Sequence, residues 1–338
     1  MDTAYSDEFV HKISSGDHLF VVVDELHRLG SPKRRRALRI QAGPRLGLSA
    51  TPYRYGDPEG TQALFDYFGG LIPPPFTLRD AINSGVLTRY FYHPEKIYLT
   101  YSEQEDWNSI TKEIQILVAR ISTGESNTID INGNPKLKQL LIKRARIVKN
   151  AAGKVPLAIR IIKEKYRPGD KWIIYCDNIT QLQAVLNNAL DAGFDAYEYY
   201  AEMKGDRDTT LAYFAANGGV LVSIKCLDEG VDIPATTHAL ILASSQNPRE
   251  FIQRRGRILR RSPGKHFAHL YDAVAIPIVE DSEDDKSLSI ITAELSRAIQ
   301  FGEGAENPAC VTDLKNIAID FNIDFNALNN GGFEDDDE

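Results

Sequence analysis

The sequence predicts an α/β protein built on parallel sheets, and three observations carry that expectation. Apolar runs at 19–23, 220–222 and 239–243 are continuous rather than alternating, as in strands buried on both faces. Between Trp172 and Tyr271 such runs alternate with helix-like stretches through short connections, the pattern of strand-helix-strand units. A length of 338 residues with 43% hydrophobic residues suits two domains of ordinary globular composition.

Residues 1–18 read as a short helix or leader, and the strand at 19–23 presents Asp24 and Glu25 at its carboxyl end. Ser31 and Pro32 offer cap and first-turn chemistry for a basic helix, after which 45–48 form a second strand ending at Ser49. Gly69-Gly70 and Pro73-Pro74-Pro75 break the chain, 77–84 read as a small capped helix, and 86–101 as extended. From Glu103 to about Arg167 the pattern is helical, interrupted by polar turn formers at 124–135. Within it Leu137, Leu140, Leu141, Ile147 and Val148 recur at helical spacing as core contacts.

Strands at 172–175 and 196–200, helices at 179–190 and 207–216, the strand at 220–222 and a last strand at 267–271 follow. Past Asp281 comes a helical tail, 286–301 and a weaker stretch from Val311, ending in acidic 334–338, which are expected to be disordered. The domains are therefore expected at 1–88, 89–275 and 276–338, the last being the tail. No internal repeat is present.

No apolar run approaches a membrane span, and the start MDTAYSDEF lacks a basic flank before an apolar core. Neither signal peptide nor anchor is expected, and the default location is cytoplasmic. Cys176, Cys226 and Cys310 are scattered and odd in number, which reads as reduced thiols rather than a zinc site. His266 and His269 lack companion ligands. A net charge of -8 argues against indiscriminate nucleic-acid binding, yet basic islands stand out: 33–36 with Arg39; Lys136, Lys138, Lys143, Arg144, Arg146 and Lys149; and 254–265. Each reads either as a solvated helix face or as a track for phosphates.

The stretch from Gly219 to Arg261 concentrates the candidate chemistry. Its first strand leads to Glu229-Gly230-Val231-Asp232-Ile233-Pro234, and it closes on Gln253-Arg254-Arg255-Gly256-Arg257-Ile258-Leu259-Arg260. Loops at the carboxyl ends of parallel strands are the usual ligand edge of such a sheet. Arginines three apart on a helix from about Pro248 share a face and could meet one phosphate together. This segment resembles motifs V and VI of superfamily 2 helicases. Upstream, Val21-Val22-Val23-Asp24-Glu25-Leu26-His27 resembles motif II, the DExH form of the Walker B box, and Leu48-Ser49-Ala50-Thr51-Pro52 resembles motif III. The four occur in the family's order, and the wording of motifs V and VI is closest to the restriction-subunit and XPB-like branch. The resemblance implies RecA-like parallel sheets, a partial first domain and a complete second one, with a helical C-terminal tail.

It also implies roles. Asp24 would hold Mg²⁺ through water, and Glu25 would polarise the water that attacks ATP. His27 would link that site to Gln253 and to the hydroxyls of Ser49 and Thr51, which couple nucleotide state between domains; those hydroxyls could instead only cap a turn. Arg257 and Arg260 match the arginine fingers that meet charge on the γ-phosphate. Gly230 and Asp232 match motif V positions facing nucleotide and nucleic acid, although Gly230 alone could be a turn. Where the family often has Ala-Thr, this chain has Ser223-Ile224, so a phosphate contact would fall to Ser223 or Lys225, with Arg254 as a further nucleic-acid contact.

No G-x-x-x-x-G-K-[ST] string occurs; Ala152-Gly153-Lys154-Val155 is the nearest, without the first glycine, the hydroxyl or a preceding strand. The expected function is therefore the C-terminal portion of an ATP-dependent helicase or translocase acting on DNA, RNA being the weaker choice. Its activity is expected to need a segment or partner carrying Walker A. The other reading is a non-catalytic nucleic-acid-binding or assembly module that keeps the fold.

Overall fold

The structure is a computed structural model that describes residues 6–13, 16–49, 53–54, 57–122, 134–224, 236–243, 256–278, 289–321 and 323. It divides into two compact units, one extending through Asp80 and the other built from Ala81 onward. Both carry parallel sheets flanked by helices, the α/β class that the alternation predicts.

The first unit holds α1 (Asp7–Ile13), β1 (Val21–Asp24), β2 (Arg45–Leu48) and α2 (Pro58–Phe68). β1 and β2 pair in parallel, from Val21 opposite Arg45 to Asp24 opposite Leu48. Between them the basic helix expected from Ser31 and Pro32 does not form; two 3₁₀ segments, Leu26–Gly30 and Arg34–Arg39, take its place. The core explains this. A 3₁₀ turn eclipses residues three apart, whereas an α-helix would splay them by roughly 60°. Eclipsed, Leu26 and Leu29 both enter a cluster closed by Ala37 and by Leu64 of α2. α2 begins at Asp57, whose carboxylate accepts from Gly60 N at 2.7 Å, and stops at Gly69, a left-handed residue with φ 84°. Phe20, just before β1, and Val22 and Leu48 on β1 and β2 remain 60%, 53% and 47% exposed. A short helix, α3 (Leu78–Asn83), is opened by a reciprocal exchange in which Thr77 N donates to Asp80 at 2.8 Å and Asp80 N to Thr77 Oγ1 at 3.2 Å.

Among the described residues the second unit holds a six-stranded sheet of β3 (Arg89–Tyr98), β4 (Lys171–Cys176), β5 (Ala196–Tyr199), β6 (Gly219–Ile224), β7 (His238–Ile241) and β8 (Phe267–Ile276). Its order is β3-β8-β7-β4-β6-β5, with every pairing parallel. The strands richest in continuous apolar sequence, β4, β6 and β7, are interior, with Trp172, Ile174, Val220, Leu221, Val222, Ala239 and Leu240 all fully buried. α6 (Lys154–Lys165), α7 (Ile179–Asp191) and α8 (Arg207–Asn217) alternate with these strands in the chain. α4 (Tyr101–Ser122) and α5 (Pro135–Lys149) pack together around Ile114, Leu137 and Leu140. Of the basic residues on α5, Arg144 turns inward with its guanidinium 5.2 Å from the Trp107 ring, and burial lowers its pKa to about 10. Lys136, Lys138, Lys143 and Arg146 stay exposed.

The tail helices, Ser289–Glu303 and Thr312–Asp320, are part of this unit. Phe301 stacks on Tyr92 with centroids 5.2 Å apart, and Arg297 is buried against Asp272 and Glu294. The side-chain amide of Asn307 pairs with both main-chain groups of Tyr92 at 2.9 Å, and Glu306 N donates to Tyr90 O at 2.9 Å. An edge strand left open would be a template for association, and these bonds occupy β3 instead. Among the described residues no helix is long and apolar enough to cross a membrane.

One face of the sheet carries a ladder of rings across β3, β8, β7 and β4. His93 stacks on Tyr271 at 4.6 Å, His238 on His269 at 5.1 Å and on Trp172 at 4.4 Å, and His93 Nε2 lies 3.2 Å from His269 Nδ1. Burial holds the imidazoles neutral, with His93 and His238 at about 4 and His269 lowered. Lys165 opposes protonation of His93, whereas Asp170 favours it at His238 and His269. Because the folded values lie below the unfolded 6.5, this stability is complete above pH 6.5 and is lost as pH falls toward 4. After discounting for the part-exposed His93, the loss should be about 2–4 kcal/mol. Urea unfolding at pH 7 and pH 4.5 measures it, and His238→Phe should shrink the difference; an unchanged difference would contradict the account.

Candidate functional site

The first unit assembles its candidate site on a single sharp turn. β1 ends at Asp24, and Glu25 follows with φ 52° and ψ 50°, a left-handed conformation that a glutamate rarely adopts. Its amide donates to Asp24 Oδ1 at 2.9 Å, and Leu26 then drops into the core below. Gly47 on β2 lets Leu26 approach: a Cβ there would stand 2.5 Å from Leu26 Cδ2. The turn thereby separates two carboxylates in direction, with Asp24 exposed and Glu25 half-buried.

Three predicted residues meet here. The buried His27 places Nδ1 3.3 Å from Glu25 Oε2 and 3.2 Å from Ser49 Oγ. Ser49 leaves the end of β2 and Glu25 the end of β1, so pairing of the two strands creates the meeting. The frame around it was not foreseen. Arg54 donates from Nη1 to His27 O and from Nε to Asp57 Oδ2 at 2.9 Å, while Arg35 donates to Gly30 O and, at 3.2 Å, to Asp57 Oδ1. Asp57 feels burial, which raises its pKa, but bonds from Gly60 and Arg54 outweigh it and hold the carboxyl below its ordinary value. Nothing local in the sequence tied Arg54 to His27.

In the second unit, Ile258 and Leu259 are buried, so Arg257 and Arg260 on either side are carried at the surface of one turn, Arg260 the more exposed. That turn is held from two directions: Lys265 donates to Ile258 O and, at 3.0 Å, to Arg260 O, and Thr88 N donates to Leu259 O at 2.7 Å. Leu87 forms an isolated antiparallel bridge with Arg260. Lys265 carried no sequence signal beyond its basic neighbourhood. Ser223 lies within β6 between Tyr175 and Tyr199, fully buried, and among the described residues its hydroxyl has no partner. Thr51, Lys225, Gly230, Asp232, Gln253 and Arg254 lie outside the described residues.

Lys154, in the string nearest to a Walker A loop, begins α6 fully buried, with its ammonium donating to Leu242 O. Burial lowers its pKa to about 8, against the pull of Glu294 and Asp272. A lysine so placed supports the end of β7. Among the described residues no group of three or more His, Cys, Asp or Glu could cage a metal ion. Magnesium needs no such cage, since one or two carboxylates and the phosphates of a bound nucleotide ordinarily suffice. The exposed Asp24 carboxylate fits that mode.

Comparison with known proteins converges on one group. Residues 153–262 match the helicase conserved C-terminal domain. The DNA 3'-5' translocase XPB2 of Sulfurisphaera tokodaii is 26% identical over 285 residues, covering 80% of this chain and 60% of the relative. The putative ATP-dependent RNA helicase MJ1505 of Methanocaldococcus jannaschii is 27% identical over 135 residues, covering 38% of this chain and 17% of the relative. Among solved structures, the ATP-dependent Type ISP restriction-modification enzyme LlaBIII bound to DNA superposes over 97% of this chain and 24% of its own, with a TM-score of 0.53 and 15% identity. The likeness places the fold among RecA-like sheets. The chain spans about three-fifths of the first relative's length and about one-sixth of the second's.

Proposed function

Since residues 153–262 form a helicase conserved C-terminal domain in a superfamily 2 chain of the XPB-like and restriction-subunit type, we propose that this protein serves ATP-driven movement along DNA. The turn at Glu25 carries the reading. A glutamate held left-handed at the carboxyl end of a parallel strand, beside His27 and Ser49, costs backbone strain that a surface loop would relax. DNA is preferred over RNA because the relative matched over most of this chain is named as a DNA translocase.

In this reading Asp24 would hold Mg²⁺, which when bound neutralises phosphate charge. Glu25 accepts the proton of the attacking water, and the His27 imidazole stands 3.3 Å from its carboxylate. Ser49 shares the same imidazole nitrogen, so a shift in Glu25 is felt at the end of β2. Arg257 and Arg260 supply cations to the charge that grows in the transition state. Gln253, Gly230, Asp232 and Thr51 keep the nucleotide and coupling roles implied by their motifs, and Lys225 and Arg254 those toward nucleic acid, whereas Ser223 is fully buried within β6 and is not placed to meet a phosphate. The phosphate cradle would come from a Walker A-bearing segment or partner.

The test is ATP turnover and DNA binding by this chain supplied with that segment. Hydrolysis should be stimulated by DNA, and affinity should fall steeply with salt as counterions are released from phosphates. Turnover indifferent to DNA, or binding indifferent to salt, would defeat the proposal.

A further inference from the structure

We infer that Arg54 is a positioning residue that aims the Glu25 turn, working through the His27 carbonyl and braced by Asp57 and Arg35. This rests on the reading of Glu25 as the water-orienting base, and goes beyond it in naming the part that holds the base in place.

Glu25 stands in a strained conformation, and strain persists only where the surroundings fix the chain on both sides. Before it, β1 does so through its ladder to β2. After it, the Leu26–Gly30 segment is a 3₁₀ helix of five residues with no side-chain cap, too short to be rigid by itself. What grips this segment is a pair of arginines. Arg54 binds the carbonyl of His27, and Arg35 binds the carbonyl of Gly30, one grip at each end of the same turn. Both guanidiniums then share the two oxygens of Asp57, which is itself fixed as the cap of α2. The planar fork of arginine serves two acceptors in fixed directions, which lysine cannot reproduce. Arg54 is also held by its main chain, where N donates to Thr61 Oγ1 at 2.8 Å, and its side chain is only 14% exposed.

The glycines supply an independent observation. A Cβ on Gly30 would fall 2.1 Å from Arg54 Cδ and 2.7 Å from Nε. One on Gly60 would fall 2.2 Å from Asp57 Oδ2 and 2.8 Å from Arg54 Nε. Neither glycine has a positive φ, so neither is required by its backbone. Gly30 is required by the space the Arg54 side chain occupies, and Gly60 by the Asp57 carboxylate together with Arg54 Nε. The site is thus shaped around Arg54 from two separate elements, the turn itself and α2.

The inference is tested on the full chain by NMR of the His27 imidazole and by amide exchange, neither of which needs ATP turnover. With Ser49 Oγ at 3.2 Å and Glu25 Oε2 at 3.3 Å before it, Nδ1 is expected to carry the ring proton. The wild-type protein should show a protected Nδ1–H. Arg54→Ala removes the grip, and Gly30→Ala evicts an intact Arg54. Both should speed exchange of Nδ1–H and of the amides at 26–30 at least tenfold, leaving β4 and β6 unchanged. Arg54→Lys should recover part of the protection. If Arg54→Ala unfolds the first unit, the other two variants decide. An unchanged Nδ1–H in Gly30→Ala overturns the inference, and so does unfolding by Arg54→Lys, which would make Arg54 a prop of the fold alone. Because the readout is independent of hydrolysis, the inference can fail while the assignment of Glu25 stands, and the reverse.

Discussion

Glu25→Gln should lower DNA-stimulated ATP turnover by about a thousandfold once a Walker A-bearing segment is supplied, with little effect on nucleotide or DNA affinity. The substitution is nearly isosteric, so the turn should survive. What disappears is the capacity to accept a proton from water, a contribution of typically 10²–10⁴. Arg257→Ala and Arg260→Ala should each cost on the order of 10³-fold by removing positive charge from the transition state. Since Ile258 and Leu259 hold that turn by burial, neither arginine variant should unfold the second unit. The loss should fall on kcat rather than KM, because the affected groups act on charge that develops only as the bond breaks. The isolated chain should hydrolyse ATP negligibly. Robust DNA-stimulated turnover by the isolated chain, abolished by Glu25→Gln, would overturn the expected need for a Walker A partner.

The elements most readily legible in the sequence are those whose hydrophobic pattern is set by burial on both faces. β4, β6 and β7 read directly as strands because each carries a continuous apolar run. Their order in the sheet was not legible, since the place of β8 between β3 and β7 depends on contacts made only after folding. The region after His27 misled for a different reason. Ser31, Pro32 and the arginines that follow carry ordinary helix-start chemistry, but Leu26, Leu29 and Ala37 had to reach Leu64 together, and packing overrode local preference. At the candidate site Glu25, His27 and Ser49, which the resemblance links, lie together in the structure. Arg54, Asp57 and Lys265 were not named, because their roles are to hold main-chain carbonyls and partner side chains, and such roles leave no mark in residue type or spacing.

The two units should differ in stability by a margin that hydrogen exchange can resolve. In the second, β4 has a strand on either side and its alternate side chains are fully buried, so its amides open only when the whole sheet does. In the first, among the described residues, β1 pairs only with β2 over four residues, and Phe20, Val22 and Leu48 keep about half or more of their surface in water. Two short parallel strands with an apolar face so exposed have little to hold them, since a parallel pair ordinarily depends on cover over both faces. Amides of 21–24 and 45–48 should therefore exchange at least a hundredfold faster than those of 171–176 and 219–224 in the isolated chain. A Walker A-bearing partner that adds strands beside β1 and β2 would bury the same residues, and should slow exchange at 21–24 and 45–48 selectively. Equal slow exchange in both units of the isolated chain would mean that the small sheet is self-sufficient. The proposed dependence on a partner would then lose its physical basis.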